Sequence, residues 1–105
     1  MMYGIQERDM EYIHAALSKW PEVEKAIIFG SRAMGNHKKG SDIDLAIAGQ
    51  KVNETICNKI SSQLNEENPI PFFVEVINYK NIKNQALKEH IQNHGIIIYQ
   101  KSSVK

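Results

Sequence analysis

The apolar residues of this sequence follow two different spacings in turn, and this alternation limits the folds that the chain can adopt. A spacing of four residues, which places side chains along one side of a helix, is clearest between residues 52 and 67. Its members are Val52, Ile56, Ile60 and Leu64. Short uninterrupted apolar runs, as at residues 26–29, instead indicate strands with both faces covered.

These patterns predict helices at residues 5–20, 52–67 and 82–94, and strands at residues 23–29, 42–48, 72–77 and 96–99. Helices that alternate with strands favour an α/β or α+β fold, in which helices cover one face of a small mixed sheet. After the first strand, Gly30 and Ser31 predict a turn into a short helix, with Ser31 as its N-cap and Gly35 at its end. The aromatic residues expected in the core are Trp20, Phe72 and Phe73.

The length of 105 residues suits one domain with a single core, so we expect residues 1–105 to form one domain. No apolar run approaches a membrane span, and the first residues contain no stretch of signal-peptide length. The single Cys57 cannot form an intramolecular disulfide and is expected to fill the core. These features favour a cytoplasmic protein with no membrane partner. The net charge of +1 is too small for strong, generic nucleic-acid binding.

Gly30 and Ser31 are followed, after ten further residues, by Asp42 and Asp44, and this arrangement indicates phosphate chemistry. A glycine and a serine at the start of a helix offer backbone N–H groups and a hydroxyl to a phosphate. On a strand, Asp42 and Asp44 leave the same face with origins about 6 to 7 Å apart. Two carboxylates at that spacing can bind Mg²⁺, whose ligand shell is completed by water and substrate phosphates.

Glu75 is the candidate for a third carboxylate. It stands alone in an apolar segment, where a buried unpaired charge is unfavourable unless a metal ion or hydrogen bonds compensate it. Phosphoryl transfer by two metal ions normally needs such an acid to hold the ion that activates the attacking hydroxyl. We therefore expect Asp42, Asp44 and Glu75 to be catalytic metal ligands for Mg²⁺, with Glu75 also the candidate acceptor of the hydroxyl proton.

The segment from Phe29 to Gly35, followed by the segment from Gly40 to Leu45, resembles the minimal nucleotidyltransferases of the DNA polymerase beta superfamily. Similarity continues through residues 71–79 and 87–95 and so covers nearly the whole chain. The resemblance implies a polymerase-beta-like nucleotidyltransferase core that binds ATP or another NTP together with Mg²⁺.

By the same resemblance Gly30 and Ser31 hold the triphosphate, Asp42 and Asp44 bind the metal ions, and Glu75 takes the third-carboxylate position. Family members often have aspartate at that position, so the longer glutamate moves the carboxylate by about one methylene.

MntA-like members of this group are encoded with an all-helical HEPN protein, and some act as antitoxins that transfer AMP from ATP to a tyrosine of that partner. The resemblance therefore implies a toxin–antitoxin function, with a HEPN-type partner as the nucleotide acceptor in a homo- or hetero-oligomer. The residue count agrees, because the predicted sheet and helices account for nearly all of the residues given, and we therefore expect the acceptor to belong to another molecule.

Several alternatives stay open from the residues themselves. Arg32 can contact phosphate or only solvent, and Glu75 can face water at a strand edge. His90 and His94 have a spacing that can bind zinc, but no further Cys or His partner is evident, so zinc is not expected. For the whole chain, the alternatives are a non-catalytic module that neutralises a helical partner by covering it and, less favoured, a nucleic-acid polymerase.

Overall fold

The computed structural model describes residues 2–101. The strands in this range are β1 (Lys25–Phe29), β2 (Ile43–Ala48), β3 (Val74–Asn78) and β4 (Ile96–Gln100). The α-helices are α1 (Glu7–Ser18), α2 (Ser31–Met34), α3 (Glu54–Ser62) and α4 (Gln85–His94). A π-helical turn (Gln63–Glu67) continues α3, and a 3₁₀ turn (Tyr79–Asn81) follows β3. Within the described range, no helix combines the length and the apolar character needed to cross a membrane.

The strands form one mixed sheet in the order β3-β2-β1-β4. Strand β1 is antiparallel to both β2 and β4, whereas β2 and β3 run parallel. A parallel pair needs a crossover connection, and α3 with its π-helical turn supplies it. The predicted small mixed sheet flanked by helices is confirmed.

Helices cover the sheet on both faces, so the prediction of one covered face is wrong. On one face, α1 and α3 contribute to the larger core cluster, and Val52, Ile56, Ile60 and Leu64 of the predicted stripe are all buried there. On the other face, Ile91 of α4 packs with Ile27 and Phe29 of β1 and Ala46 of β2. The second cover is possible because β1 and β2 carry apolar side chains on both faces.

Two of the three aromatic residues lie where they were expected. Trp20 and Phe72 are half-buried against the larger core. The prediction that Phe73 is a core residue is wrong, because 55% of Phe73 is exposed. It directly precedes β3, an edge strand of the sheet, and chain alternation turns it away from the core that buries Val74. Cys57 is buried, as predicted.

Candidate active site

The turn between β1 and α2 requires glycine at position 30. Gly30 has φ 77° and ψ −154°, a conformation that residues with a side chain rarely adopt. A Cβ atom at this position would also lie 2.5 Å from Oδ2 of Asp44. The N-cap is Gly30 and not Ser31 as predicted, since Ser31 is already the first residue of α2. Gly35, with φ 79°, ends this helix as predicted.

The three predicted acids lie at the end of the sheet where β2 and β3 begin and β1 ends. Asp44 pairs with Glu75 in the parallel register of β2 and β3, so the two side chains leave the same face. Asp42 directly precedes β2, and alternation along the chain directs it to that face as well. Phe29 at the end of β1 pairs with Asp44 from the other side, which brings the Gly30 turn beside the acids.

The exposure of the acids differs from what the sequence indicated. Asp44 is half-buried, whereas Asp42 and Glu75 are exposed. Of the two alternatives left open for Glu75, the structure shows the exposed one, because β3 lies at the edge of the sheet and leaves the Glu75 side chain open to water. Its position beside Asp44 follows from the strand register and not from burial.

Negative charge accumulates around Asp44. Burial, followed by the carboxylates of Glu75 and Asp42, raises the pKa of Asp44, while the Arg32 guanidinium acts in the opposite direction. The three carboxylates are therefore close enough to influence one another. In the part of the chain that the structure describes, no group of three or more His, Cys, Asp and Glu side chains already has the arrangement of a metal site.

Arg32 contacts neither solvent nor an open phosphate site, because only 2% of it is exposed. Its guanidinium donates hydrogen bonds to the backbone carbonyls of Tyr3, Gly4, Ser41 and Asp42. The guanidinium carbon lies 4.2 Å from the centre of the Phe72 ring, a cation–π contact. Burial lowers the pKa of Arg32, although Asp44 and Asp42 oppose that shift. Arg32 thus fixes the backbone that carries Asp42.

His90 contacts the turn between β1 and α2, and the sequence alone did not indicate this contact. Its Nε2 atom accepts a hydrogen bond of 2.9 Å from the Gly30 N–H, although the two residues are 60 positions apart. The His90 ring meets the ring of Phe29 nearly edge-on at 6.4 Å, and the ring of His94 lies 5.5 Å away. The spacing of the two histidines suggested only zinc binding, and nothing in the local sequence indicates a bond to Gly30.

The fold and the order of the site residues define a class of protein. Residues 11–104 match the model of the family described as polymerase beta, nucleotidyltransferase. The chain therefore belongs to this nucleotidyltransferase family, as the resemblance of its motifs implied.

Solved structures of toxin–antitoxin complexes have a similar fold. A crystal structure of a toxin–antitoxin with AMP-PNP matches with a TM-score of 0.71 at 17% identity, over 89% of this chain and 74% of the other. A structure of the tri-AMPylated Shewanella oneidensis HEPN toxin in complex with MNT antitoxin matches with a TM-score of 0.68 at 15% identity, over 92% of this chain and 74% of the other. A crystal structure of the toxin–antitoxin MntA-HepT matches with a TM-score of 0.68 at 15% identity, over 91% of this chain and 74% of the other. No match is found among curated proteins.

Proposed function

We propose that this chain transfers a nucleoside monophosphate to a hydroxyl group of a helical HEPN-type protein. The nucleotide transferred is AMP, taken from ATP. In this proposal the HEPN-type protein is a toxin and this chain is its antitoxin. The observation that carries the proposal is the pairing of Asp44 with Glu75, next to Asp42 and opposite the Gly30 turn. Membership of the nucleotidyltransferase family supports the reaction. The AMPylated HEPN toxin found with its MNT antitoxin supports this choice of acceptor.

The chemistry of the acids fits Mg²⁺. This ion prefers oxygen ligands, takes one or two carboxylates from the protein, and completes its shell with water and substrate phosphates. Asp42 and Asp44 would hold the ions, with Glu75 as the third ligand. Burial, followed by repulsion from Glu75 and Asp42, raises the pKa of Asp44, and a cation would relieve that repulsion. When bound, the ions neutralise phosphate charge and favour ionisation of the attacking hydroxyl.

The other residues around the site would bind phosphate, accept the hydroxyl proton or hold the backbone, according to their positions. Gly30 and Ser31, at the end of β1, hold the triphosphate, with the Ser31 hydroxyl as a donor. In-line displacement requires the attacking oxygen to approach the α-phosphorus from the side opposite the leaving pyrophosphate. In this proposal the acceptor approaches from the open edge at β3, and Glu75 accepts the hydroxyl proton there. Arg32 contributes by holding the backbone of Asp42 and not by touching phosphate.

Calorimetry with ATP and Mg²⁺ tests the nucleotide site directly. We expect clear binding by the parent protein, and loss of the signal in EDTA or in the double variant Asp42→Asn, Asp44→Asn. Glu66→Gln is the matched control, since it also replaces a carboxylate with an amide, at an exposed position of the π-helical turn. Equal affinity with and without metal would contradict the proposed site.

The alternative function, a non-catalytic module that covers its partner, is favoured by one observation. Glu75 is exposed and is longer than the aspartate frequent in the family, so the third ligand is the weakest part of the site. Co-purification with a HEPN-type partner, followed by intact mass measurement of both chains, separates the two functions. Transfer adds nucleotide mass to the partner; a complex that never gains mass at saturating ATP and Mg²⁺ supports the covering module.

A further inference from the structure

The hydrogen bond from the Gly30 N–H to His90 Nε2 joins helix α4 to the turn that is proposed to bind phosphate. We propose that His90 is a positioning residue that holds the turn formed by Gly30 and Ser31 in its nucleotide-binding conformation. The inference rests on the proposed function of that turn. It assigns a role to a histidine that the proposed transfer reaction does not otherwise use.

Glycine at position 30 makes such a restraint necessary. Without a side chain, Gly30 reaches its φ of 77° and ψ of −154° easily, but it can leave this conformation just as easily. A bond from outside the turn selects one of these conformations. His90 provides it from a regular helix, and its ring is itself held by the edge contact with Phe29, the residue before Gly30.

The bond also changes which groups are left for phosphate. An imidazole nitrogen accepts a hydrogen bond only when it carries no proton, so this bond requires the tautomer of His90 with its hydrogen on Nδ1. The Gly30 N–H is thereby occupied, and the donors that remain at the turn are the Ser31 hydroxyl and the N–H groups that follow Gly30. The bond fixes the peptide plane that carries the Gly30 N–H. Rotation about φ of Gly30 changes the direction of the Ser31 N–H relative to that plane, so loss of the His90 bond would misdirect these donors.

Two substitutions at position 90 separate the acceptor nitrogen from the ring. His90→Phe keeps an aromatic ring against Phe29 but removes the acceptor, whereas His90→Gln replaces the ring with a chain whose amide oxygen can accept. His94→Phe, one helical turn further on, is the matched control because it keeps the ring contact with His90. Affinity for ATP with Mg²⁺ should fall about tenfold in His90→Phe, the effect of one well-placed hydrogen bond. His90→Gln should recover most of the affinity, and His94→Phe should bind like the parent.

Two further measurements show whether the turn itself is affected. Amide hydrogen exchange at Gly30 should be faster in His90→Phe than in the parent and in His94→Phe. In the transfer reaction, KM for ATP should rise more than kcat falls, because the acids are untouched. Where His90→Phe lowers Tm, the smaller His90→Leu serves in its place.

The outcomes separate this inference from the proposed function. A parent protein that binds no ATP with Mg²⁺ refutes the proposed function. A parent that binds, together with a His90→Phe variant of equal affinity and equal Gly30 exchange, refutes the role of His90. If His90→Gln binds as weakly as His90→Phe, ring packing is what matters, and the acceptor role is overturned.

Discussion

Glu75 is the residue that best distinguishes the two candidate functions, because nucleotide transfer needs its carboxylate and a non-catalytic covering module does not. Its carboxylate lies on the edge strand, in register with Asp44, and it is exposed. Exposure does not exclude catalysis here, because the proposed acceptor is a separate molecule that would reach this edge from solution. It does mean that neither packing nor a described hydrogen bond explains an acid at this position.

Replacement of Glu75 by glutamine should therefore affect transfer far more than stability. Glu75→Gln keeps the size of the side chain but removes the charge and the ability to accept a proton, so transfer should fall about 100-fold or more. ATP binding should change less, since Asp42 and Asp44 remain. Without metal, Tm should stay level or rise, because the substitution removes the repulsion by Glu75 that, after burial, raises the pKa of Asp44. Transfer rates and thermal unfolding measure both effects.

The controls for this prediction lie on the same chain. Glu75→Asp, with the side chain more frequent in the family, should retain transfer. If Glu75→Gln transfers nucleotide as fast as the parent while Asp44→Asn is inactive, Glu75 is only a strand residue and the third ligand lies elsewhere.

Gly30 and Gly35 allow backbone strain to be separated from loss of the site. Both have positive φ values, but only Gly35, with φ 79° and ψ 9°, is in the left-handed helical region, where alanine should destabilise the fold by about 1 to 2 kcal/mol. Gly30, with ψ −154°, lies in a region that is essentially restricted to glycine, so alanine there should destabilise the fold at least as much. Only at Gly30 would the new Cβ collide with Asp44, since nothing lies within 4 Å of a Cβ at Gly35. Gly30→Ala should lose ATP binding, and Gly35→Ala should retain it. Urea unfolding and calorimetry measure the two effects, and equal ATP affinity in the two variants would contradict the assignment.

At the scale of elements, the π-helical turn after α3 anchors the strand that carries Glu75. Asn65 in this turn donates through Nδ2 to the carbonyl of Val74 and accepts through Oδ1 from the Val74 N–H, both at 2.8 Å. These backbone groups face away from β2 and would otherwise be open at the sheet edge. The side chain of Asn65 thus takes the place of a further strand at the beginning of β3.

Removal of this amide should weaken both the fold and the site. Asn65→Ala leaves two half-buried backbone groups of Val74 unpaired, which should lower the free energy of unfolding by about 1 to 3 kcal/mol. Transfer should fall as well, because β3 holds Glu75. Asn58→Ala, at an exposed position of α3, is the control. Urea unfolding of the two variants is the measurement, and equal stabilities would show that Asn65 does not secure the edge.

At the scale of the whole molecule, Cys57 reports on the closed core. Burial, with a smaller contribution from Glu54, raises the pKa of this thiol from an ordinary 9.0 to about 11. The folded chain therefore keeps the thiol proton in a pH range where the unfolded chain has lost it. Ionisation of Cys57 has no effect on stability below pH 9.0, and it favours unfolding as pH rises from 9.0 towards about 11.

Comparison of the parent with Cys57→Ala isolates this effect from the other groups that titrate at high pH. The free energy of unfolding of the parent should fall more steeply between about pH 9 and about pH 11 than that of the variant. Urea unfolding across this range is the measurement. If the free energy of unfolding falls equally steeply with pH in the parent and in Cys57→Ala, the fold does not protect the thiol. Rapid alkylation of Cys57 in the native protein would lead to the same conclusion.

The sequence by itself determined the features that depend on local spacing. The four-residue stripe of α3, the strands beginning near Asp42 and Val74, and the glycine turn before α2 follow from periodicity and from backbone conformations that glycine favours. The same local spacing pointed to Asp42 and Asp44 as a pair. Such features need only neighbours within a few residues.

Only the tertiary structure decided which distant segments meet. The order of the strands makes β3 an edge, which exposes Phe73 and Glu75 and sets Glu75 beside Asp44. The placement of α4 on the second face brings His90 to Gly30 across 60 positions. Arg32, which sequence reasoning left between phosphate and solvent, is buried by carbonyls from two separate segments. Each of these contacts depends on how the crossover and the helices pack against the sheet, and no local pattern of residues encodes that packing.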